Sequence, residues 1–525
     1  MSHIAKDRTG YTSEDIVREI WDHLDLPAEA LDALSLPTKP GPAVPSSFKI
    51  GLLAQSAIAT SALTAASIYA VRNERSVPKI AVPLEHAIAE FRSERLYHLD
   101  GEPTPNLWGP IGGLHPTRDG FIRIHDNFPN HRDGILQVLG LPQDGNVTRD
   151  EVSNATRKWD KVDLETAALD NGACAYALRS YEEWDALPQA QAISPFPISI
   201  KKVGGDRDAE GTATVATQSG APGTLLLPRD GDRCLRGLRV LEMSRVIAAP
   251  VAGRTLAAHG ADVLWVTSPN LPALPALDID VSRGKRTIQL DLNSNDEQKK
   301  AEDETTLSAL ANTCDVFIQG YRPGSLAARG LSPEVLAAAR GASKGRGGLI
   351  VGNMSAFGPE GPWAGRRGFD SLVQTCSGMN VSEAEHYYSN NYGAGAEAEE
   401  QASARPTPCQ ALDHAAGYFL AAGVCAALYK SIMAADGASY VVDVSLAGVM
   451  KYLRSLGQYD GRSGFDGAPE LPSAAGDMDP GLFETRATGF GELRGVRHSA
   501  AVDGCAPGWD EMPKRLGSDR PEWLA

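Results

Sequence analysis

Positive charge is what this sequence is short of. Fifty Lys and Arg face 66 Asp and Glu, a formal net charge of −16 at pH 7. Such a chain repels phosphate backbones and anionic lipid headgroups, so neither nucleic acid nor membrane is expected as a main partner. An anionic ligand would have to be met by a local cluster of Arg and Lys. Cysteine is scarce as well: seven residues, an odd number, with no C-x-x-C pair. That count speaks against a disulfide framework and for reduced thiols in a cytoplasmic protein. The 11 His are scattered and no His/Cys grouping has metal-ligand spacing, so no metal is expected. The opening residues, Met1-Ser2-His3-Ile4-Ala5-Lys6-Asp7-Arg8, lack the apolar core of a secretory signal. Glu14, Asp15 and Glu19 make the opening too acidic for a transit peptide. The longest apolar stretches, 51–69 and 415–429, carry Gln, Ser, Thr or Gly and fall short of a membrane span. The last residues, Glu522-Trp523-Leu524-Ala525, are not a peroxisomal tripeptide.

What is present is an ordinary globular composition, 42% hydrophobic and 22% charged over 525 residues, enough for two or more cores. Five regions are expected: an N-terminal extension and Pro-rich linker, 1–47; a small-domain-like region, 48–202; a Gly/Ala/Thr-rich connector, 203–233; a catalytic domain, 234–457; and a closing segment, 458–525. Short apolar runs alternate with helical patterns from 234 to 446. Strands are predicted at 238–243, 261–266, 287–292, 315–319, 348–355 and 440–445. Helices are predicted at 251–259, 297–312, 325–340, 370–378 and 413–433. This alternation implies βαβ units: an α/β fold whose large domain is a Rossmann-like, mainly parallel sheet, beside a smaller α+β domain. Such sheets bind ligands beyond the carboxyl ends of their strands. An internal echo at an offset of 360 residues pairs 57–95 with 417–455 and places Leu53 where the second copy has Asp413. Only the second copy keeps the carboxylate.

Residues 409–423, Cys-Gln-Ala-Leu-Asp-His-Ala-Ala-Gly-Tyr-Phe-Leu-Ala-Ala-Gly, carry the chemistry. Asp413 stands where an extended segment meets a long helix of small residues. As an N-cap it would accept first-turn N–H groups and feel the positive end of the helix dipole, which keeps a carboxylate charged. A charged carboxylate suits a nucleophile. The small residues behind it let another backbone, or a bulky ligand, come close. His414 is read as structural, since neighbouring helical residues point apart. Cys376 and Cys409, with no identifiable His partner, are read as buried hydrophobes. The Gly-bearing stretch 383–404 is a candidate lid.

The run Leu235–Pro250 closing at Gly260-Ala261-Asp262-Val263 resembles the opening of the family III CoA-transferases, which include formyl-CoA and carnitine–CoA transferases and alpha-methylacyl-CoA racemase. Five more matches follow in family order: Arg283–Leu292, Asp315–Gly324, Ser355–Pro362, Gly368-Phe369-Asp370 and the Asp413 segment. Residues 79–200 resemble the family's small domain, with Thr117-Arg118-Asp119-Gly120-Phe121 at its characteristic strand, but they precede the motifs they normally follow. The chain thus resembles the family in a rearranged two-part form.

The resemblance implies an enzyme that moves CoA from an acyl-CoA to a carboxylic acid, with short dicarboxylates in the family's range. Asp413 would be the nucleophile, acting through an aspartyl anhydride and an enzyme–CoA thioester. Coenzyme A is then substrate, no prosthetic group is needed, and a homodimer is implied. By resemblance Ile247 and Ala248 would line the pantetheine path, and Leu290, Asp291, Asn293, Gly320, Tyr321 and Arg322 would flank the nucleotide. Arg367, Gly368, Phe369 and Asp370 would lie near the thioester. Arg322, Arg329, Arg283 and Lys285 are the expected phosphate contacts. Two positions depart from the pattern: Ser268 stands where relatives place a basic residue, and Ala328 where they place Arg, with Arg329 one place on. The alternatives are an acyl-CoA racemase or epimerase, against which Phe369 stands in place of a proton-carrying His, and a catalytically silent CoA-binding protein.

Overall fold

Of six short runs between 239 and 445, five carry two or three Val, Ile or Leu, and in each run consecutive residues are buried, so both faces are covered. The computed structural model describes all residues except 1–5, 38, 40, 107, 204–226, 230, 343–346, 389–402, 436, 472–477 and 525. Its main sheet has seven strands: β1 (Ile198–Lys202), β2 (Arg239–Met243), β3 (Asp262–Thr267), β4 (Lys285–Gln289), β5 (Val316–Gln319), β6 (Ile350–Ser355) and β7 (Tyr440–Ser445). Their order is β4-β3-β2-β5-β6-β7-β1. All neighbours are parallel except β1, which closes the edge antiparallel to β7. The Rossmann-like sheet is therefore present, and its direction of winding reverses between β2 and β5. A crevice opens at such a switch point.

The predicted strands fall within three residues of the observed ones, and the helix expected at 413–433 runs Ala411–Ala434. Two expectations change. The helix expected over 325–340 is a 3₁₀ turn, Ala327–Arg329, followed by a separate helix, Pro333–Ala342; Gly330, at φ 77°, ends the turn in a conformation that favours glycine. Residues 383–387 of the expected lid belong to the helix Met379–Tyr387, and most of the remainder lies outside the described residues, as does most of the 203–233 connector.

The internal echo becomes a helix pair. Ile50–Asn73 and Ala411–Ala434, 24 residues each, pack together along their length. Both are long and apolar enough by composition to cross a membrane, contrary to the expectation from their polar interruptions. Nearly all of each is buried within the protein, and Thr60, Thr64 and Ser67 return their hydroxyls to carbonyls a turn earlier. Small residues allow the close approach. A side-chain carbon on Gly417 would lie 2.6 Å from the carbonyl oxygen of Ala248, and one on Gly423 would lie 2.6 Å from Val442. What the small residues admit is backbone and sheet.

The N- and C-terminal parts are woven into one another. His98–Leu99 pairs with the hairpin strand Gly491–Val496, and Ile80–Ala81 pairs with Ala501–Val502. A separate three-stranded antiparallel sheet, Gly113–Thr117, Gly120–Ile124 and Ala175–Ala177, supports the helix Pro129–Leu139. All seven cysteines are buried free thiols.

Candidate functional site

Strands β2, β3, β5, β6 and β7 all deliver residues from their carboxyl ends to one cavity of about 780 Å³. Met243, Thr267, Gly320, Ser355 and Leu446 mark those ends. At the β2/β5 switch point the chain bends sharply. Val246 is held at φ 73°, a conformation β-branched residues avoid, and it faces the cavity with Ile247 and Ala248. Gly320 lies against Ala249 so tightly that a side-chain carbon there would come within 2.9 Å of it.

Of the residues expected at the site, all but Asp291, Asp370, Arg283 and Lys285 line this cavity: Ile247, Ala248, Leu290, Asn293, Gly320, Tyr321, Arg322, Arg329, Arg367, Gly368, Phe369 and Asp413. Asp291 is buried one layer back. It accepts from the Asn270 side chain at 2.6 Å and from the Asn293 N–H at 3.1 Å, and so positions two residues that do line the cavity. Asp370 is also behind the wall. Its carboxylate accepts the N–H groups of Leu412 (2.8 Å) and Asp413 (3.0 Å) and a bond from Gln374.

That arrangement corrects the reading of Asp413. The N-cap is Gln410; Asp413 is the third residue of the helix, and the first-turn donors expected to hold its charge are taken by Asp370. Among the described residues the Asp413 carboxylate has no hydrogen-bond partner, and it is 6% exposed. Burial, the neighbouring Asp370 and then Glu94 hold its proton well above the usual carboxylate range. Burial also pushes Asp370 up to about 6, against the pull of its hydrogen bonds. Two carboxyls share one buried corner, so their proton losses are linked.

The expected phosphate contacts divide. Arg322 and Arg329 are exposed at the cavity's rim, and Arg329 is steadied by the Leu292 carbonyl (3.0 Å) and Asn293 (2.6 Å). Burial, then the like charge of Arg367, lowers Arg322, so an anion between them would relieve repulsion. Arg283 and Lys285 are structural instead. Lys285 is fully buried against Glu242 at 2.8 Å, and Arg283 is buried against Asp280 and the Val496 carbonyl. Both side chains are turned into the protein: Lys285 also donates to the Pro250 carbonyl at 2.7 Å and Arg283 lies over Trp509.

Ser268, the departure from the family pattern, does line the cavity; Ala328 does not. His414 bonds Glu94 at 3.0 Å in a fully buried contact, a structural role, and Cys376 and Cys409 are buried with their thiols pushed up by desolvation.

Sequence reasoning missed the cavity's far side. Phe128, Asn130 and His131, at the start of the helix Pro129–Leu139, close over it, with Arg245 and Arg366. Phe369 stacks on His125 at 3.9 Å and meets His131 edge-on at 5.8 Å. Burial first, then Arg367 and Arg245, lowers His131 to about 4. The Asn127-Phe128-Pro129 sequence signals a helix start but nothing about what it covers.

Residues 235–486 match the pattern of CoA-transferase family III. The acyl-CoA transferase of Gibberella moniliformis is 29% identical over 50% of this chain and 43% of its own length. The acetyl-coenzyme A transferase nodX of Hypoxylon pulicicidum is 28% identical over 67% of this chain and 55% of its own, an alignment longer than the family-matched stretch. The probable fatty acyl-CoA transferase Rv3272 of Mycobacterium tuberculosis is 30% identical over 40% of this chain and 50% of its own. A crystal structure of Rv3272 aligns with 28% identity and a TM-score of 0.33, covering 43% of this chain and 57% of that one. The chain spans about half the length of the curated relatives it matches. Asp413 and the carboxyl-end residues of the parallel sheet thus lie within the stretch, residues 235–486, that is similar to CoA-transferase family III.

Proposed function

We propose that the protein moves CoA from an acyl-CoA thioester to a small carboxylic acid, with Asp413 as the nucleophile. The observation that carries this reading is a carboxylate without a partner, nearly dry, on the wall of a cavity whose rim holds Arg322 and Arg329. Asp413 in its ionised form attacks the thioester carbonyl carbon; the C–S bond breaks and the CoA thiolate leaves, giving a mixed anhydride. The thiolate then attacks the Asp413 carbonyl of that anhydride; the C–O bond to the acyl group breaks, leaving an enzyme–CoA thioester on Asp413 and the donor acid as its carboxylate. The freed acid departs. The acceptor carboxylate attacks that thioester in turn, and return of the thiolate releases the new acyl-CoA and restores Asp413. Little water near Asp413 protects the anhydride from hydrolysis. The curated relatives named as succinate–glutarate CoA-transferases, at 27–33% identity over less than a third of this chain, support an acid as acceptor.

Hydroxylamine trapping tests it. Acyl-CoA should leave a hydroxamate at Asp413, and Asp413→Ala should form none while keeping its fold; a variant that still turns over at the parent rate removes the proposal. The epimerase alternative gains His131 as a cavity histidine, but a base lowered to about 4 abstracts an alpha proton poorly at neutral pH. Exchange of the substrate alpha hydrogen with deuterated water would favour it.

A further inference from the structure

A second cavity, of about 420 Å³, lies on the other side of the Phe369–His125 stack. Phe369 lines the first cavity and His125 the second, so a wall two rings thick separates them. Three arginines line this space, Arg95, Arg123 and Arg405, the last with its guanidinium stacked on Tyr387 at 3.7 Å. Arg95 is paired with Glu94 at 3.4 Å. Arg123, on the strand Gly120–Ile124, is mostly covered by protein, yet among the described residues it meets no acceptor. The Nε of Arg405 is also buried without an acceptor. The one acid on the wall, Asp126, is turned to the Ile111 N–H at 2.8 Å and pressed against Gly109 and Gly112.

An uncompensated guanidinium taken out of water is expensive unless something else satisfies it. Burial, and then Arg149, lowers Arg123 to about 10 while the nearby Asp370 carboxyl pulls the other way without bonding it, so Arg123 stays charged at neutral pH. We propose that this cavity is a binding site for the carboxylate of a small organic acid, gripped by the fork of Arg123. A carboxylate matches a guanidinium with two parallel hydrogen bonds. Ser371 and Gln410 supply further polar groups, and Trp108 offers a flat apolar face for the acid's stem. The volume suits a small molecule. Gln410 caps the Asp413 helix and Gln374, on the same wall, bonds Asp370, so an occupant would sit one layer from the proposed nucleophile.

Calorimetric titration of the full chain with acetate, succinate and benzoate, with inorganic phosphate as a control anion, tests this. At least one acid should bind more tightly than phosphate. Arg123→Met should weaken it about tenfold or more, the loss of a charge-assisted hydrogen-bond pair. Arg123→Lys, which keeps the charge and loses the fork, should fall between, and Gln410→Glu, which adds a negative charge to the wall, should also weaken binding. Asp413→Asn should leave the titration unchanged. Absence of binding by the parent protein, binding indifferent to all three cavity variants, or binding lost in Asp413→Asn would each overturn the proposal. The last result would place the acid in the first cavity instead. None of these readings uses the adduct chemistry, so the two proposals fail separately. Assaying the same acids as CoA acceptors shows which source fills the cavity: Arg123→Met raises KM for an acceptor held there and leaves KM unchanged if the bound acid does not react.

Discussion

Asp413 sits among acids, not among donors, and that sets its pH behaviour. A carboxyl that holds its proton more tightly in the folded chain than in the unfolded one supports the fold below its unfolded range, and that support is lost as pH rises through its folded range. Asp413 is raised well above, and Asp370 to about 6. Asp413→Asn should therefore melt higher than the parent at pH 8, with the difference closing toward pH 4, as read by thermal unfolding across that range. The proposed transfer needs the ionised form, so its rate should climb with pH over the same interval. The arginines divide by burial. Arg322→Gln and Arg329→Gln should each weaken CoA binding by about 1–2 kcal/mol, less at high salt, because both lie exposed at the rim. Lys285→Met should instead cost about 3–5 kcal/mol of stability, since it leaves Glu242 buried and unpaired. Urea unfolding and a CoA titration on the same variants separate the two roles.

At the scale of elements, the helix Ala411–Ala434 organises the site. It carries Asp413 at one end, lies on the helix Ala248–Ala258 along one side and packs on Ile50–Asn73 along another. Gly417 is a point of close contact, 2.6 Å from Ala248 oxygen for any added carbon, and Ala248 itself lines the cavity. Gly417→Val should destabilise by ~1–3 kcal/mol or more and shift Ala248, lowering CoA affinity as well as the unfolding midpoint. Ala→Ser changes at solvent-facing helix positions should do neither. The echo between the two long helices was legible because small-residue spacing survives duplication. That the copies would lie against each other was not, because spacing says nothing about partners.

For the whole molecule, Asp280 is the tie between parts distant in sequence. Its carboxylate accepts from Ser93 at 2.7 Å in the N-terminal half and from Arg254 and Arg283 in the family domain; Arg283 in turn donates to the Val496 carbonyl in the closing segment. All of these side chains are buried. Asp280→Ala should cost about 3–5 kcal/mol by leaving two buried guanidinium groups without a carboxylate. A single steep urea transition should shift as one unit; separate transitions for the halves would show that they fold independently.

The succession of strands and helices and the parallel sheet could be read from residue patterns, and most residues of the Asp413 cavity from the resemblance that the ordered motifs carry. Each depends on local periodicity and on motifs that keep their spacing. Whether a given polar residue faces ligand or core depended on how distant segments met, since burial is a property of neighbours and not of sequence position. So Asp370 took the donors expected for Asp413, Lys285 turned inward, and Phe128 and His131 came from 280 residues upstream to close the cavity.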